Sequence, residues 1–586
     1  MATASADGSD DAPRLIPADW FTQERVVRWM GIFLTLGIAA RAVRYLLCFP
    51  LWEDECFLCV NFIDRSFAAL LEPLSYHQVA PPLFLWAERL SVICCGYSEW
   101  SLRLVPLAAS LASLFLFRRL AGGLLSGGAL VLAFGIFAVA YPGIRYAAEA
   151  KQYATDLFAA LLLLTIAVEW YRSRNPAWLW LLAGLAMPLL WLSYPAAFVV
   201  GGVSLAIGAV LLREELRGER SESREESGIQ LSTLNSQLPS GNSQLFLNPQ
   251  LVAWLAYNIA VAVGFGLLFF VIRRQSSAEL GFMTDYWQTA FPPLAEPERL
   301  PAWILQVHTS DLVAWPVGGG RGASFFTAIL AAIGLRQLFR KQDLFWGILL
   351  LAPALLNLLA AAIERYPYGG HVKFSMFLGP AVCLLAGWGA AAWNARVARS
   401  RPGLARHAAA VTIGVLALIA GASMGRDLLR PYKTLSDERA RAFAKWFWFN
   451  AEAEGPVVLV EGHDGRPFSP ESRSELSWTA MFLCNRAIYS PAERDASPAA
   501  IPGDDGSMRY LVYRDPRFEF DSAARNAWLD SLRQENELVA SETFPFTRFG
   551  KNEHDLVTVD YLDIFTFRPS RPQTASAARA VWKRQH

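Results

Sequence analysis

Four polar clusters in this chain hold residue types that could do chemistry. The first is Trp52-Glu53-Asp54-Glu55, directly after a long apolar segment. Carboxylates at a membrane surface are costly unless they have partners or work to do. As acids opening a helix, Asp54 and Glu55 could also be capping groups, a role worth roughly 0.3–1 kcal/mol. Against that reading stand His77 and Gln78 before the Pro81-Pro82 pair, then Glu99 and Arg103. An acidic pair at a membrane exit points to a membrane enzyme whose substrate arrives partly through lipid.

Arg103 is the second signal. Only fourteen residues separate it from Arg118, too few for a full span, so Arg103 is drawn into the outer bilayer margin and needs an anion there. Glu99, one turn away, and a lipid phosphate are equal candidates. The third cluster is Tyr146, Glu149, Lys151, Gln152, Tyr153 and Asp156. Residues 149, 152, 153 and 156 fall at i, i+3, i+4 and i+7, which predicts one polar helix face. Such a face cannot meet lipid. It lines either an aqueous cavity or a buried network, and the expectation is a cavity shared with Arg103 and the first outer loop. The fourth is Tyr366-Pro367-Tyr368-Gly369-Gly370-His371-Val372-Lys373, where glycines permit close backbone approach and Lys373 is a cation at membrane level. A Gly-Gly turn with a snorkelling lysine explains it equally well. The segment from Arg273 to Gly322, with Asp285-Tyr286-Trp287, Trp303 and Trp315, offers a lid or acceptor surface.

The elements that must position these groups are mostly bilayer-spanning helices. With 586 residues, 54% hydrophobic and only 18% charged, the chain is too apolar for an ordinary soluble protein. Its net charge of +1 gives no reason to expect a nucleic-acid partner. Residues 1–27 are polar, and the apolar run that follows is too long for a cleaved signal and lacks a small-residue cleavage site. Runs of spanning length recur at about 29–49, 100–117, 120–141, 153–171, 177–193, 196–212, 251–272, 323–339, 344–363, 374–393 and 407–425, which predicts about eleven spans. With a cytoplasmic amino terminus, every inside loop is basic: Arg118-Arg119, Arg172 and Arg174, Arg336 to Lys341, and Arg396 to Arg406. That parity requires splitting 177–212 at Ser193-Tyr194-Pro195.

The transmembrane region thus covers 28–429, with a first extracytoplasmic loop at 51–99. Segments 55–67 and 82–93 of that loop read as surface helices. Residues 213–250, with Asn-Ser-Gln-Leu repeated at 235–238 and 242–245, read as a disordered cytoplasmic linker. Residues 430–568 switch to amphipathic segments (438–450, 523–536) and short strand-like runs (457–461, 510–513, 561–567), predicting a small extracytoplasmic α/β domain. It has no Gly-rich phosphate loop and is assigned no catalysis. The tail 569–586 reads as disordered. Cys56 and Cys59 form a C-x-x-C without a second pair at zinc spacing, so buried thiols are the expectation.

Taken in order, the acidic pair, Gln78-x-x-Pro81-Pro82, Ser98-Glu99-x-x-x-Arg103, Glu149-x-Lys151-Gln152-Tyr153 and Tyr366-Pro367-x-Gly369-Gly370 resemble the GT-C membrane glycosyltransferases. More narrowly they resemble the bacterial branch related to protein O-mannosyltransferases and lipid A aminoarabinose transferase, over about residues 25–425. One departure is His371, where that pattern would have Arg; Lys373 is the candidate to take over phosphate binding.

The resemblance implies a polyprenyl-phosphate sugar donor and an extracytoplasmic lipid, glycan or protein acceptor. It also implies a multi-pass protein of the inner membrane with its site facing outward. The leaving group is a phosphate, which needs charge stabilisation, and one base to deprotonate the acceptor fits inverting displacement. On this reading Asp54 is the base with Glu55 in support. Arg103, Lys151 and Lys373 are phosphate partners, and His77, Gln78, Glu99, Tyr146, Glu149, Gln152, Tyr153, Asp156, Tyr368 and His371 are further substrate-binding candidates. The one cofactor the resemblance allows for is a divalent metal ion at Asp54 and Glu149. A flippase for lipid-linked saccharides would place similar charges in a membrane cavity, but should show duplicated halves, which the sequence lacks. An inactive scaffold of the same fold is the third alternative.

Overall fold

The computed structural model describes residues 21–229, 248–275, 286–401, 403, 405–449, 457–460, 477–489, 507–514, 522–548 and 558–570. Helices occupy all eleven apolar segments. They are α1 (Gln23–Leu46), α4 (Leu104–Leu124), α5 (Gly127–Ala138), α7 (Tyr153–Ser173), α8 (Ala177–Leu192), α9 (Ala196–Ile229), α10 (Pro249–Gln275), α12 (Phe325–Lys341), α13 (Leu344–Ala362), α14 (Gly379–Ser400) and α15 (Ala405–Leu429). Eight of these segments are long and apolar enough to cross a bilayer, and up to nine if the pair Gly127–Ala138 and Tyr141–Ala148, bent by 45°, is one broken span. The bend has a local cause: Ala140, ahead of α6 (Tyr141–Arg145), is extended, and Pro142 near the start of α6 cannot donate back into α5. The other two of the eleven expected segments, α8 and α12, are shorter helices of 16 and 17 residues.

The split at Ser193-Tyr194-Pro195 is present, since α8 ends at Leu192 and α9 opens at Ala196. α9 continues to Ile229, into the stretch 213–250 expected as a disordered linker; residues 230–247 lie outside the described ones. Two spans are central, Tyr153–Ser173 and Val372–Ser400, with 83% and 89% of their apolar windows buried, against 17% for Pro249–Gln275 at the periphery. Close packing beside the second depends on small residues. Gly334 and Gly389 sit against the carbonyls of Leu385 and Leu330, where a Cβ would collide with backbone.

The 51–99 loop carries α2 (Glu53–Cys59) and α3 (Pro82–Cys95), close to the two surface helices expected, and α11 (Leu300–Thr309) lies between α10 and α12. The C-terminal region holds α16 (Leu435–Phe449), α17 (Ser477–Tyr489), α18 (Ser522–Glu535) and a sheet ordered β1-β2-β4-β3. Its strands are β1 (Val457–Val460), β2 (Met508–Arg514), β3 (Asn536–Arg548) and β4 (Thr558–Pro569). β1 runs parallel to β2 and the other pairs are antiparallel. Loop and domain share one apolar core, in which Cys56, Phe62, Phe84 and Leu102 meet Phe443, Phe482, Cys484 and Ile564. The C-terminal region is therefore docked on the loop that bears the acidic pair.

Candidate active site

α2 sets the geometry. Consecutive helical residues point about 100° apart, so Asp54 and Glu55 serve different surroundings. Glu55 is buried and accepts four hydrogen bonds: from Arg103 Nε at 2.9 Å, Arg103 Nη2 at 2.6 Å, the Ala150 amide at 2.7 Å and the Trp52 amide at 3.2 Å. Arg103, equally buried, also donates to the carbonyls of Phe49 and Pro50. All of its nitrogens are occupied. This corrects the expected roles of both residues: the anion that Arg103 needs is Glu55, not Glu99 or a lipid phosphate, and Glu55 is no accessory base. Together they lock the start of the first outer loop to the 149–152 connection.

Asp54 faces outward. Lys151 Nζ lies 3.1 Å from Oδ1 and Lys373 Nζ 3.9 Å from Oδ2. Burial alone would raise the Asp54 carboxyl, but Lys151 and Lys373 outweigh it and hold it down to about 2. Lys151 is itself positioned by Gln78, whose Oε1 accepts from Nζ at 2.7 Å. Lys373 Nζ rests over the rings of Trp287 at 4.7 Å and Tyr153 at 5.8 Å. Asp54, Gln78, Lys151, Tyr153 and Lys373, from four separate stretches of chain, thus meet at one point.

Glu149 borders that point. It pairs with Arg145 at 3.1 Å, and its carboxyl is held below the usual range because Arg145 and Lys433 outweigh its burial. The Tyr146 ring packs edge-on against Tyr153, centroids 4.9 Å apart, with its buried hydroxyl lacking a hydrogen-bond partner among the described residues. Arg145 and Lys433 are the groups that sequence reasoning missed. Lys433, from the stretch after the last span, stacks on the Trp52 ring. Burial depresses its ammonium to about 7, partly opposed by Glu149. Arg145 offered a signal, a charge within the third polar cluster; Lys433 offered none beyond a basic residue near a membrane end. The region assigned no catalysis therefore begins with a residue of the site. The result is a partly buried cluster of four cations, Arg145, Lys151, Lys373 and Lys433, around two carboxylates, Asp54 and Glu149.

Other candidates are placed elsewhere. Glu99 accepts from the Tyr489 hydroxyl at 2.7 Å and lies 4.0 Å from Arg441, so it fastens the C-terminal domain. The polar face predicted from 149 to 156 is not one helical face, because Glu149 is extended and α7 opens only at Tyr153. Gln152 is at the helix start, and Asp156 is buried beside Ser193. His77 belongs to the positive-φ pair Tyr76-His77 that turns the loop back toward Gln78. Tyr368 is buried against His308, 3.1 Å away, and Gly369 and Gly370 approach protein rather than ligand: a Cβ on either would stand 2.6 Å from Val307 or Ala290. His371 accepts the Lys373 amide, and burial followed by Lys373 pushes its imidazole down to about 3, leaving it neutral. Asp285 lies outside the described residues.

The residues do not fit the divalent metal. Asp54 is engaged by two lysines and Glu149 by an arginine, and no group of three or more His, Cys, Asp or Glu among the described residues could hold an ion.

No protein-family model and no curated protein matches the chain. Solved structures are similar over most of its length. ArnT from Cupriavidus metallidurans, bound to undecaprenyl phosphate, has a TM-score of 0.49 at 13% identity, covering 92% of this chain and 98% of its own. The oligosaccharyltransferase of Archaeoglobus fulgidus in its apo form has a TM-score of 0.43 at 11% identity, covering 87% and 72%. ArnT and the archaeal oligosaccharyltransferase are thus among the solved structures to which this chain is similar.

Proposed function

We propose that the chain is a membrane glycosyltransferase that moves a sugar from a polyprenyl-phosphate donor to an acceptor hydroxyl with inversion at the anomeric carbon. The observation that carries this reading is the Asp54 carboxylate held between Lys151 and Lys373 at a membrane exit, with Arg145 and Lys433 alongside. A surplus of buried cations is the environment a lipid-linked phosphate needs as its bond to the sugar breaks.

The acceptor hydroxyl attacks the anomeric carbon from the face opposite the phosphate. The new C–O bond forms as the old one breaks, its electron pair leaves on the phosphate oxygen, and Asp54 takes the hydroxyl proton. A carboxylate held near 2 is a weak base. Donor binding corrects this, because the phosphate competes with Asp54 for Lys151 and Lys373, and a carboxylate relieved of two cations regains basicity. Glu55 and Arg103 act as positioning residues that fix α2.

Incubating the purified protein with a panel of polyprenyl-phosphate sugars and following lipid-phosphate release tests the reading. Release separates transfer from flipping, which leaves the phosphodiester intact. Folded protein that releases phosphate from no donor, with acceptor lipids, glycans and peptides supplied, would overturn it.

A further inference from the structure

The face of the bundle far from Asp54 carries a second arrangement. α4 begins beside the Glu55–Arg103 pair and α7 beside Asp54, so Arg118 and Arg172 lie about 22 and 28 Å farther along their helices at 1.5 Å per residue. At that end α1, α4, α5 and α7 enclose a groove of about 610 Å³ lined by apolar side chains, including Val26, Met30 and Phe115, and rimmed by Arg118, Arg119 and Arg172. Its volume is that of an ordinary small-molecule site. The groove opens sideways into the bilayer: Phe115 is 53% exposed, and neighbouring Val27, which also lines it, is 60% exposed.

The rim decides the occupant. Arg119 is neutralised by Glu169 at 2.8 Å, but neither Arg118 nor Arg172 has an ion-pair partner among the described residues. A larger groove of about 1150 Å³ between α9, α10, α12 and α13 is apolar too, yet there Arg213 is accompanied by Glu215 and Asp343. Of these two grooves the smaller has the more basic rim, three arginines and no carboxylate among its lining residues, against one arginine and two carboxylates in the larger. We propose that it binds an anionic phospholipid, with an acyl chain along Met30 and Phe115 and the phosphate between Arg118 and Arg172. Arginine forks suit a phosphate, and a basic pocket between helices at a membrane boundary is the geometry that selects acidic lipid. The site lies outside the sugar-transfer reading and does not depend on it.

The test uses the full chain in detergent, offered dioleoylphosphatidylglycerol or dioleoylphosphatidylcholine, with retained lipid read by native mass spectrometry. The expected result is at least ten-fold greater retention of the glycerol lipid. Arg118→Gln with Arg172→Gln should abolish that preference, the double lysine variant should keep it, and Met30→Trp, which fills the floor, should reduce retention with both arginines intact. Unfolding temperatures establish that each variant is folded; if the double glutamine variant is not, Met30→Trp and Arg172→Gln alone carry the test. Equal retention of the two lipids, or unchanged retention in folded variants, overturns the proposal. So does retention that appears only after removal of residues 2–20, since the chain's own amino-terminal segment would then be the occupant.

Discussion

Arg103 and Glu55 meet at two points, 2.9 and 2.6 Å apart, with both side chains sealed from solvent. Removing one partner of such a pair strands the other as a buried charge, at a cost of about 3–5 kcal/mol. Arg103→Ala should therefore lower thermal stability and folded yield without a selective rise in donor KM. Arg103→Lys should rescue little, because an ammonium cannot reproduce the two-point fork. A variant with normal melting and weakened donor affinity would return Arg103 to the phosphate-binding groups.

Asp54 is partly exposed, 24% against 2% for the Glu55 side chain, so its replacement tests chemistry more than stability. Asp54→Asn should reduce transfer on the order of 100 to 10,000-fold, the usual value of a general base, while insertion and melting stay near wild type. Because the two lysines then lose a competitor, donor affinity should rise. Near-normal turnover would move the base role to Glu149.

Lys433 gives a pH signature. Its ammonium, depressed to about 7 by burial, is cationic below that pH and neutral above it. Attraction for the donor phosphate is therefore present on the acid side and lost as pH rises, so kcat/KM for the donor should fall through about pH 7. Lys433→Arg, which stays charged, should shift that alkaline limb upward. Identical profiles for the two proteins would show that Lys433 does not bind the donor.

The hydrogen bond from Tyr489 to Glu99 ties the C-terminal domain to the loop. Tyr489→Phe should cost about 1.5–3 kcal/mol, the range for a bond to a charged group. The effect should appear in thermal unfolding while transfer at low temperature is retained; an equal loss of transfer in folded protein would make this contact part of the chemistry.

The basic loops predict that Ser221 and Ser507 lie on opposite sides of the membrane. Cysteine labelling or reporter fusions at the two positions check this directly. Labelling of both from one side would break the assigned topology.

The helices were legible because a spanning segment must be apolar along its whole length, and the split before α9 followed from charge parity alone. Four charged groups of the site were legible too, since Asp54, Glu149, Lys151 and Lys373 stand at membrane ends where charge needs a reason. Their direction was not. In a seven-residue helix the sequence does not say whether Asp54 or Glu55 turns inward, and that choice separates a base from a buried strut. Lys433 was hidden because a cation just beyond a final span is ordinary, and only tertiary folding brings it onto Trp52. β3 escaped because an edge strand with Glu537, Glu542 and Pro545 need not alternate.

The four cations around Asp54 and Glu149 bear on the rhythm of turnover. A sugar phosphodiester brings one negative charge, whereas the monoester left after transfer carries about 1.5 to 2 at pH 7. The same pocket therefore grips the spent carrier harder than the loaded one. If the chain carries out the proposed sugar transfer, departure of the carrier rather than bond exchange is the expected slow event, and a first turnover faster than those that follow is the kinetic mark of that retention.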